Sequence, residues 1–475
     1  MVVPALVLAA CSSPPSVTTG PLPESERQAV APTEAPEALY PLSGTGDYDV
    51  ERYDVDLTYD PATTAISAYA VMTAVAAAPL TTLTVDLGPL AVDGANVDNV
   101  PVTAVTQADG KTHLTLGAPI APGTRFALAI AYHGVPQRRT DGTLGAPVGW
   151  ISTPSGSYTR NQPDGAGTWL PSNDRPADKA ATRIRVTVPD PFYGVASGAL
   201  AAEDRTVPGR VSTTWDMVQP MAPSEVEVAT GPLVRVDAAT PGGLPMSSFV
   251  AANGTDVNGS LGLAGQVLDY YVELFGPFPF GEGGLLAGDL PAGVDVDAQG
   301  RPLLSTADLS GVLGVRQHRL LSTALAHQWF GAAVTPARWQ DVWLSEGFST
   351  YARWLWMDHA GLQRLDDAAA NALARTDALR AAFGPPDRPA ADAMSGPSVA
   401  DGGAVALHAL RQTVGDDRFF AILRSWVTEH TGGSATTDDF IDHASKVAGE
   451  DLTGLFMTWL SGTSVPEQDP AAPPA

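Results

Sequence analysis

Cysteine is all but missing from this chain. Its 475 residues contain one, Cys11, so no intrachain disulfide is possible. Positive charge is scarce too: 27 basic residues stand against 52 acidic ones, a formal charge of −25. That balance argues against electrostatic binding of nucleic acid or anionic lipid and favours solubility. Lysine is reduced to Lys111, Lys179 and Lys446, which leaves arginine to carry most of the positive charge. Long apolar runs are lacking as well. The run that precedes Cys11 is far too short to span a bilayer as a mature helix. No internal repeat of fixed period is found. What is present is an apolar fraction of 44%, that of a soluble globular protein, in a chain long enough for two domains plus tails.

The organisation follows from shifts in pattern. Residues 1–16 read MVVPALVLAACSSPPS, and Leu8-Ala9-Ala10-Cys11 resembles a bacterial lipobox. The resemblance implies a signal peptide over 1–10, a lipidated Cys11, and an acyl anchor on the extracytoplasmic face of a bacterial membrane. Residues 11–41 are rich in Pro, Ser, Thr and Glu without apolar periodicity, the composition of a disordered tether. Residues 42–236 carry short period-2 runs, such as Tyr53-Asp54-Val55-Asp56-Leu57-Thr58-Tyr59, separated by turn residues. That pattern predicts an antiparallel β-domain. From 237 to 463 helical spacing takes over, with helices expected at 261–275, 313–330, 345–359, 362–382, 402–414, 417–429 and 438–448. Residues 464–475 form a loose tail. The expected fold is therefore multidomain, an N-terminal antiparallel β-domain followed by a mainly helical one.

Residues 322–351 carry the chemistry: STALAHQWFGAAVTPARWQDVWLSEGFSTY. His327 lies in A-H-Q-W-F-G and Glu346 in W-L-S-E-G-F, eighteen residues apart, with Val334-Thr335-Pro336 and Trp339 between them. This frame resembles the gluzincin zinc aminopeptidases of peptidase family M1, in which one helix carries H-E-x-x-H and the next supplies a glutamate. Two histidines at i and i+4 share a helical face and chelate one Zn²⁺, and the glutamate between them takes a proton from the attacking water. By that resemblance His327 is the second histidine and Glu346 the third ligand. The first histidine is replaced by Thr323 and the general base by Ala324. The segments Gln162-Pro163-Asp164-Gly165-Ala166 and Trp169-Leu170-Pro171 extend the likeness into the β-domain and imply a thermolysin-like second domain. Aligning Val399 to Arg411 on the family's tyrosine segment places Ala400 where an oxyanion-stabilising tyrosine belongs. Gln299-Gly300-Arg301-Pro302 sets Asp297 near the amine-binding glutamate, and Gln162 sits at the edge of the same pocket.

These losses set the functional expectation. Positioned acid–base catalysis is worth about 10²–10⁴-fold and one oxyanion donor about 10²–10³-fold. The implied protein is a lipid-anchored aminopeptidase homologue with catalysis impaired or absent, with weak or no zinc binding, acting as a binding or scaffold protein. Its expected partner is a peptide or envelope protein in the former substrate cleft, with no nucleic acid. The alternative is an active, atypical aminopeptidase that recruits Asp297 or Asp341. His327 itself reads either as a residual ligand or as a hydrogen-bonded histidine of a partly buried cleft. His318 and His408 read as structural, and Trp329, Trp339 and Trp343 as packing.

Overall fold

The computed structural model describes residues 20–21, 37–140, 147–462 and 464. Cys11, most of the expected tether and nearly all of the expected tail lie outside them.

Alternation builds the first unit. Strand β1 (Tyr48–Asp60) buries Tyr53, Val55, Leu57 and Tyr59 while the residues between them stay partly exposed. A half-buried pleated surface selects this pattern. β2 (Ala65–Ala76) pairs antiparallel with β1, and β3 (Thr124–Gly134) antiparallel with β2. β4 (Ala180–Pro189) lies antiparallel to β5 (Arg210–Met221) but parallel to β1, a departure from the wholly antiparallel expectation. The cause is topological: residues 61–179 leave β1, build further strands, and return on its other side, the long excursion that a parallel pairing demands. A second sheet places Gly156–Arg160 beside Val228–Gly231, itself paired with Tyr193–Ala196.

The expected boundary at 236/237 falls inside a strand, β6 (Leu233–Ala239), which pairs with β7 (Pro245–Ala251). β8 (Leu286–Gly288) and β9 (Leu303–Ser305) continue that sheet in parallel register. Among the described residues, seven helices of twelve residues or more follow the expected order: α1 (Asn258–Phe275), α2 (Val315–Ala326), α3 (Trp343–His359), α4 (Leu365–Phe383), α5 (Pro397–Val414), α6 (Asp416–His430) and α7 (Thr437–Ala448). Their apolar faces close one core around Leu321, Leu325, Trp329, Trp343, Phe348 and Trp426. α3 and α5 meet backbone to backbone, since a Cβ on Gly347 would stand 2.8 Å from the Cα of Gly403.

α2 stops four residues earlier than its expected end. Beyond Ala326 the chain widens into Ala332 N–H to His327 O (3.0 Å) and Val334 N–H to Trp329 O (3.4 Å). Gly331, at φ +130°, makes that turn possible. The Trp329 indole donates to Gly276 O (3.1 Å) and Pro277 O (3.2 Å), fixing the end of α2 to the proline-rich stop of α1.

Two cations, half-buried Lys179 and buried Arg301, tie the units together. Lys179 donates to Ala332 O (2.8 Å), Ala333 O (3.2 Å) and Gly433 O (3.3 Å). Arg301 donates to Ala196 O (2.9 Å) and to Gly198 O, pairs with Glu282 (3.1 Å), and lies over the Trp215 ring. Each adds a charged donor to backbone carbonyls at the junction.

Candidate functional site

The cleft between the units is built by three segments that the sequence keeps far apart. α2 delivers His327 as its C-cap, just past the last turn. α3 delivers Ser345 and Glu346 in its first turn, where a carboxylate suits the helix dipole. The third segment was not anticipated: a 3₁₀ turn, Pro223–Glu225, at the rim of the second β-sheet.

Glu225 Oε1 lies 2.9 Å from His327 Nε2, and both side chains are 5% exposed. On the other side of the ring, Nδ1 lies 3.0 Å from Ser345 Oγ. Ser345 gives its own proton to Phe330 O (3.1 Å), so its oxygen accepts from Nδ1–H. Nε2 faces a carboxylate, which also accepts. Both ring nitrogens therefore act as donors, and the ring is an imidazolium. Burial alone would lower the His327 pKa, but Glu225 and Asp297 outweigh it and push it up to about 10. Gly331 is required here as well: a Cβ on it would stand 2.3 Å from His327 Cε1.

The remaining carboxylates surround this cation. Asp297 Oδ2 lies 4.0 Å from His327 Nδ1, at the upper limit of an ion pair, and desolvation raises its pKa. Burial, then Asp297, push Glu346 up to about 8, so it is largely protonated at neutral pH. Gln328, next to His327, accepts from Gly300 N–H (2.7 Å) and donates to Ala298 O (2.9 Å), which fixes the segment bearing Asp297 against the end of α2.

His327, Glu346 and Asp297 thus share one cleft. Gln162 is half-buried beside Asn161, whose amide donates to Pro223 O (3.1 Å) and Val226 O (2.7 Å) on either side of Glu225. Thr323 donates to Arg319 O (2.9 Å) within its own helix, Ala324 is buried, and Ala400 is half-buried in the first turn of α5. Asp341 is occupied elsewhere, with Arg338 (2.8 Å) and with the Thr437 hydroxyl (2.8 Å) at the start of α7. His318 accepts from the Trp356 indole (3.1 Å), and His408 lies 3.3 Å from the Tyr351 hydroxyl. Glu225 and Ser345 were missed by sequence reasoning. One signal for Glu225 was available: Glu225 and Glu227 interrupt an apolar stretch, and a buried carboxylate there demands a partner.

The peptidase family M1 domain profile matches residues 315–459. The crystal structure of the M1 zinc metallopeptidase from Deinococcus radiodurans is 30% identical, with a TM-score of 0.82, over 93% of this chain and 99% of that one. This chain belongs to peptidase family M1. A mutant of the Deinococcus enzyme with one glutamate changed to alanine, crystallised with the substrate Tyr-Ser-Ala, is 29% identical over 93% of this chain and 100% of that one, again with a TM-score of 0.82. Among curated proteins, aminopeptidase M1-B of rice is 25% identical over 87% of this chain and 50% of its own length. Rat glutamyl aminopeptidase is 24% identical over 66% of this chain and 35% of its own length. The chain spans about half or less of the length of the curated relatives it matches.

Zinc is the metal of the M1 structures, and the donors present here can be compared with what it requires. A zinc ligand must offer a lone pair, and histidine binds metal as the neutral ring. Neither nitrogen of His327 has a lone pair to offer while Glu225 and Ser345 accept from both. Among the described residues, no three ligand atoms in this cleft lie within 4.8 Å of one another. The donor set as arranged does not fit a hydrolytic zinc.

Proposed function

We propose that this M1 homologue is not a working peptidase, and that it holds a peptide or an envelope protein in the former substrate cleft. The observation that carries this reading is the His327–Glu225 pair, which takes up the one remaining imidazole. Around it the resemblance implies the loss of the first zinc histidine (Thr323), the general base (Ala324) and the oxyanion tyrosine (Ala400). Loss of a glutamate is compatible with peptide binding in this family, since a glutamate-to-alanine mutant of the Deinococcus enzyme was crystallised with its tripeptide. The half-exposed carboxylates of the cleft, Asp297 foremost, suit the α-amine of such a peptide. Anchoring through Cys11 at the extracytoplasmic face of a membrane completes the proposal. No helix among the described residues is long and apolar enough to cross a membrane.

The test is a pair of measurements on purified protein. Calorimetric titration with short peptides should give heat that N-acetylation of the peptide abolishes, while aminoacyl-amide hydrolysis stays at background. A second reading, an atypical active aminopeptidase, draws on Asp297 at 4.0 Å from His327. Hydrolysis that disappears in Glu346→Ala would establish that reading and end the first.

A further inference from the structure

We infer that Glu429, His430 and His443 form a zinc-class transition-metal site at the corner between α6 and α7, sharing no residue with the former catalytic cleft. One ligand atom from each residue lies within 4.8 Å of the others. Glu429 and His430 are the last two residues of α6, and His443 is in the middle of α7.

The geometry around His443 carries the inference. Its Nε2 lies 3.3 Å from Ile422 O, an atom that only accepts, and 2.9 Å from Ser425 Oγ. Ser425 gives its own proton to Ala421 O (2.8 Å), so its oxygen is free to accept. Nε2 therefore carries a hydrogen, which leaves Nδ1 as the ligand atom. Nδ1 faces Glu429 Oε2 at 3.5 Å. This pair takes up a cation, a proton as at His327 or a metal ion, and the third ligand from His430 favours the metal. Nitrogen and oxygen ligands bound to zinc at about 2.0–2.2 Å in tetrahedral geometry stand about 3.4 Å apart, which matches this separation. An outer N–H donated to a backbone carbonyl is also how metal-binding histidines are commonly oriented.

The other two ligands are suitably placed. The His430 ring lies against buried Trp426, centroids 4.0 Å apart, and crosses the His443 ring at 81° with centroids 5.8 Å apart. Glu429 is exposed, which leaves an entry path and room for water in a fourth position. Two imidazoles and one carboxylate suit zinc and its neighbours rather than calcium or magnesium, which take oxygen ligands. A metal here would also stiffen a junction. The loop after His430 bonds Gly432 N–H to Ala333 O (2.8 Å), accepts Lys179 at Gly433 O, and pairs Ser434–Ala435 with Thr335–Pro336 beyond the end of α2.

The experiment uses the full chain, stripped with chelator and titrated with Zn²⁺ by calorimetry and with Co²⁺ by visible absorption. One equivalent of Zn²⁺ is expected, with Co²⁺ giving the d–d bands of a low-coordinate site. Glu429→Gln and His430→Gln, both at the open edge of the site, should each weaken Zn²⁺ at least tenfold, and added zinc should raise the Tm of the wild type but not of these variants. Glu346→Gln should bind as the wild type does. No uptake by the wild type overturns the inference, as does uptake indifferent to both Glu429→Gln and His430→Gln. Uptake lost only in Glu346→Gln would place the metal in the cleft and overturn the proposed function too.

Discussion

Glu225→Gln removes the charge opposite His327 while keeping an acceptor oxygen where Nε2–H needs one. The pKa of His327 is about 10, against 6.5 for the free ring, so the folded state binds this proton more tightly than the unfolded chain does. Its stabilisation is therefore complete below about pH 6.5 and is lost as pH rises toward 10. At about 1.4 kcal/mol per pKa unit, the group contributes a slope of about −1.4 kcal/mol per pH unit between pH 7 and 10, with about 5 kcal/mol as a ceiling across the window. Both partners are buried, so solvent screening reduces this little. Without Glu225, burial acts on the ring with only Asp297 and Glu346 to oppose it, and the pKa falls. At pH 6 the variant should be less stable by about 3–5 kcal/mol, the usual cost of breaking a buried pair. By pH 10 the gap should close, because the wild-type ring is then losing its proton too. Lys179, lowered to about 8 by burial against the pull of Glu225, contributes the opposite slope between pH 8 and 10.5; in the variant it falls further, which widens the gap at low pH and fades with it as pH rises. Urea unfolding of both proteins from pH 6 to 10 measures this. A difference that stays constant across the range would refute the ion pair as described.

Restoring Thr323→His and Ala324→Glu alone should leave the cleft without metal-dependent hydrolysis, whereas adding Glu225→Gln, with Ala400→Tyr as a further step, should produce it; equal activity without Glu225→Gln would show that the pair blocks nothing. Gly331→Ala forces a side chain into φ +130° and against His327 Cε1, so it should cost at least the about 1–3 kcal/mol of a strained backbone, and a chemical-denaturation midpoint unchanged from wild type would contradict this. Arg301→Met leaves Ala196 O and Gly198 O without their donor and buried Glu227, already pushed up to about 8, without its cation; a loss of about 3–5 kcal/mol is expected in thermal unfolding, and a loss below about 1 kcal/mol would deny Arg301 its joining role. Full-length protein should partition into detergent and Cys11→Ser into water after expression in a bacterium, and identical partitioning would remove the lipid anchor from the proposal.

How much of this was legible in the sequence depended on the range of the interaction. The alternation in Tyr53–Tyr59 and the frame around His327 and Glu346 are local patterns, and they gave the β-domain and the α2–α3 pair directly. The end of α2 was misplaced because it is decided by distant carbonyls at Gly276 and Pro277 and by the turn at Gly331, none of which disturbs the apolar spacing of 313–330. α5 begins at Pro397, where the periodic signal is weak and proline is tolerated only because a first-turn N–H needs no partner. The pairing of Glu225 with His327 was out of reach for a plainer reason: 102 residues separate them, and no spacing rule spans two domains.

On the proposed reading, the pair also bears on why a fold shaped around a metal persists when the ligands for that metal are reduced. A zinc ion supplies positive charge among carboxylates, and without it Asp297 and Glu346 are left in mutual repulsion in a partly exposed cleft. Three responses are open to the protein: protonate a carboxylate, bring in a cation, or let the cleft take up water. The geometry uses the first two. Glu346 is raised to about 8 and so is largely neutral at pH 7, and His327 carries a proton that Glu225 holds in place from the opposite domain. On the proposed reading a proton thus occupies the electrostatic role of a metal, while the lone pair needed for hydrolysis is used up in the exchange. On this reasoning the total zinc content of the purified protein says little about the cleft, because the α6–α7 corner offers a better donor set; only Glu346→Gln set beside Glu429→Gln separates the two sites.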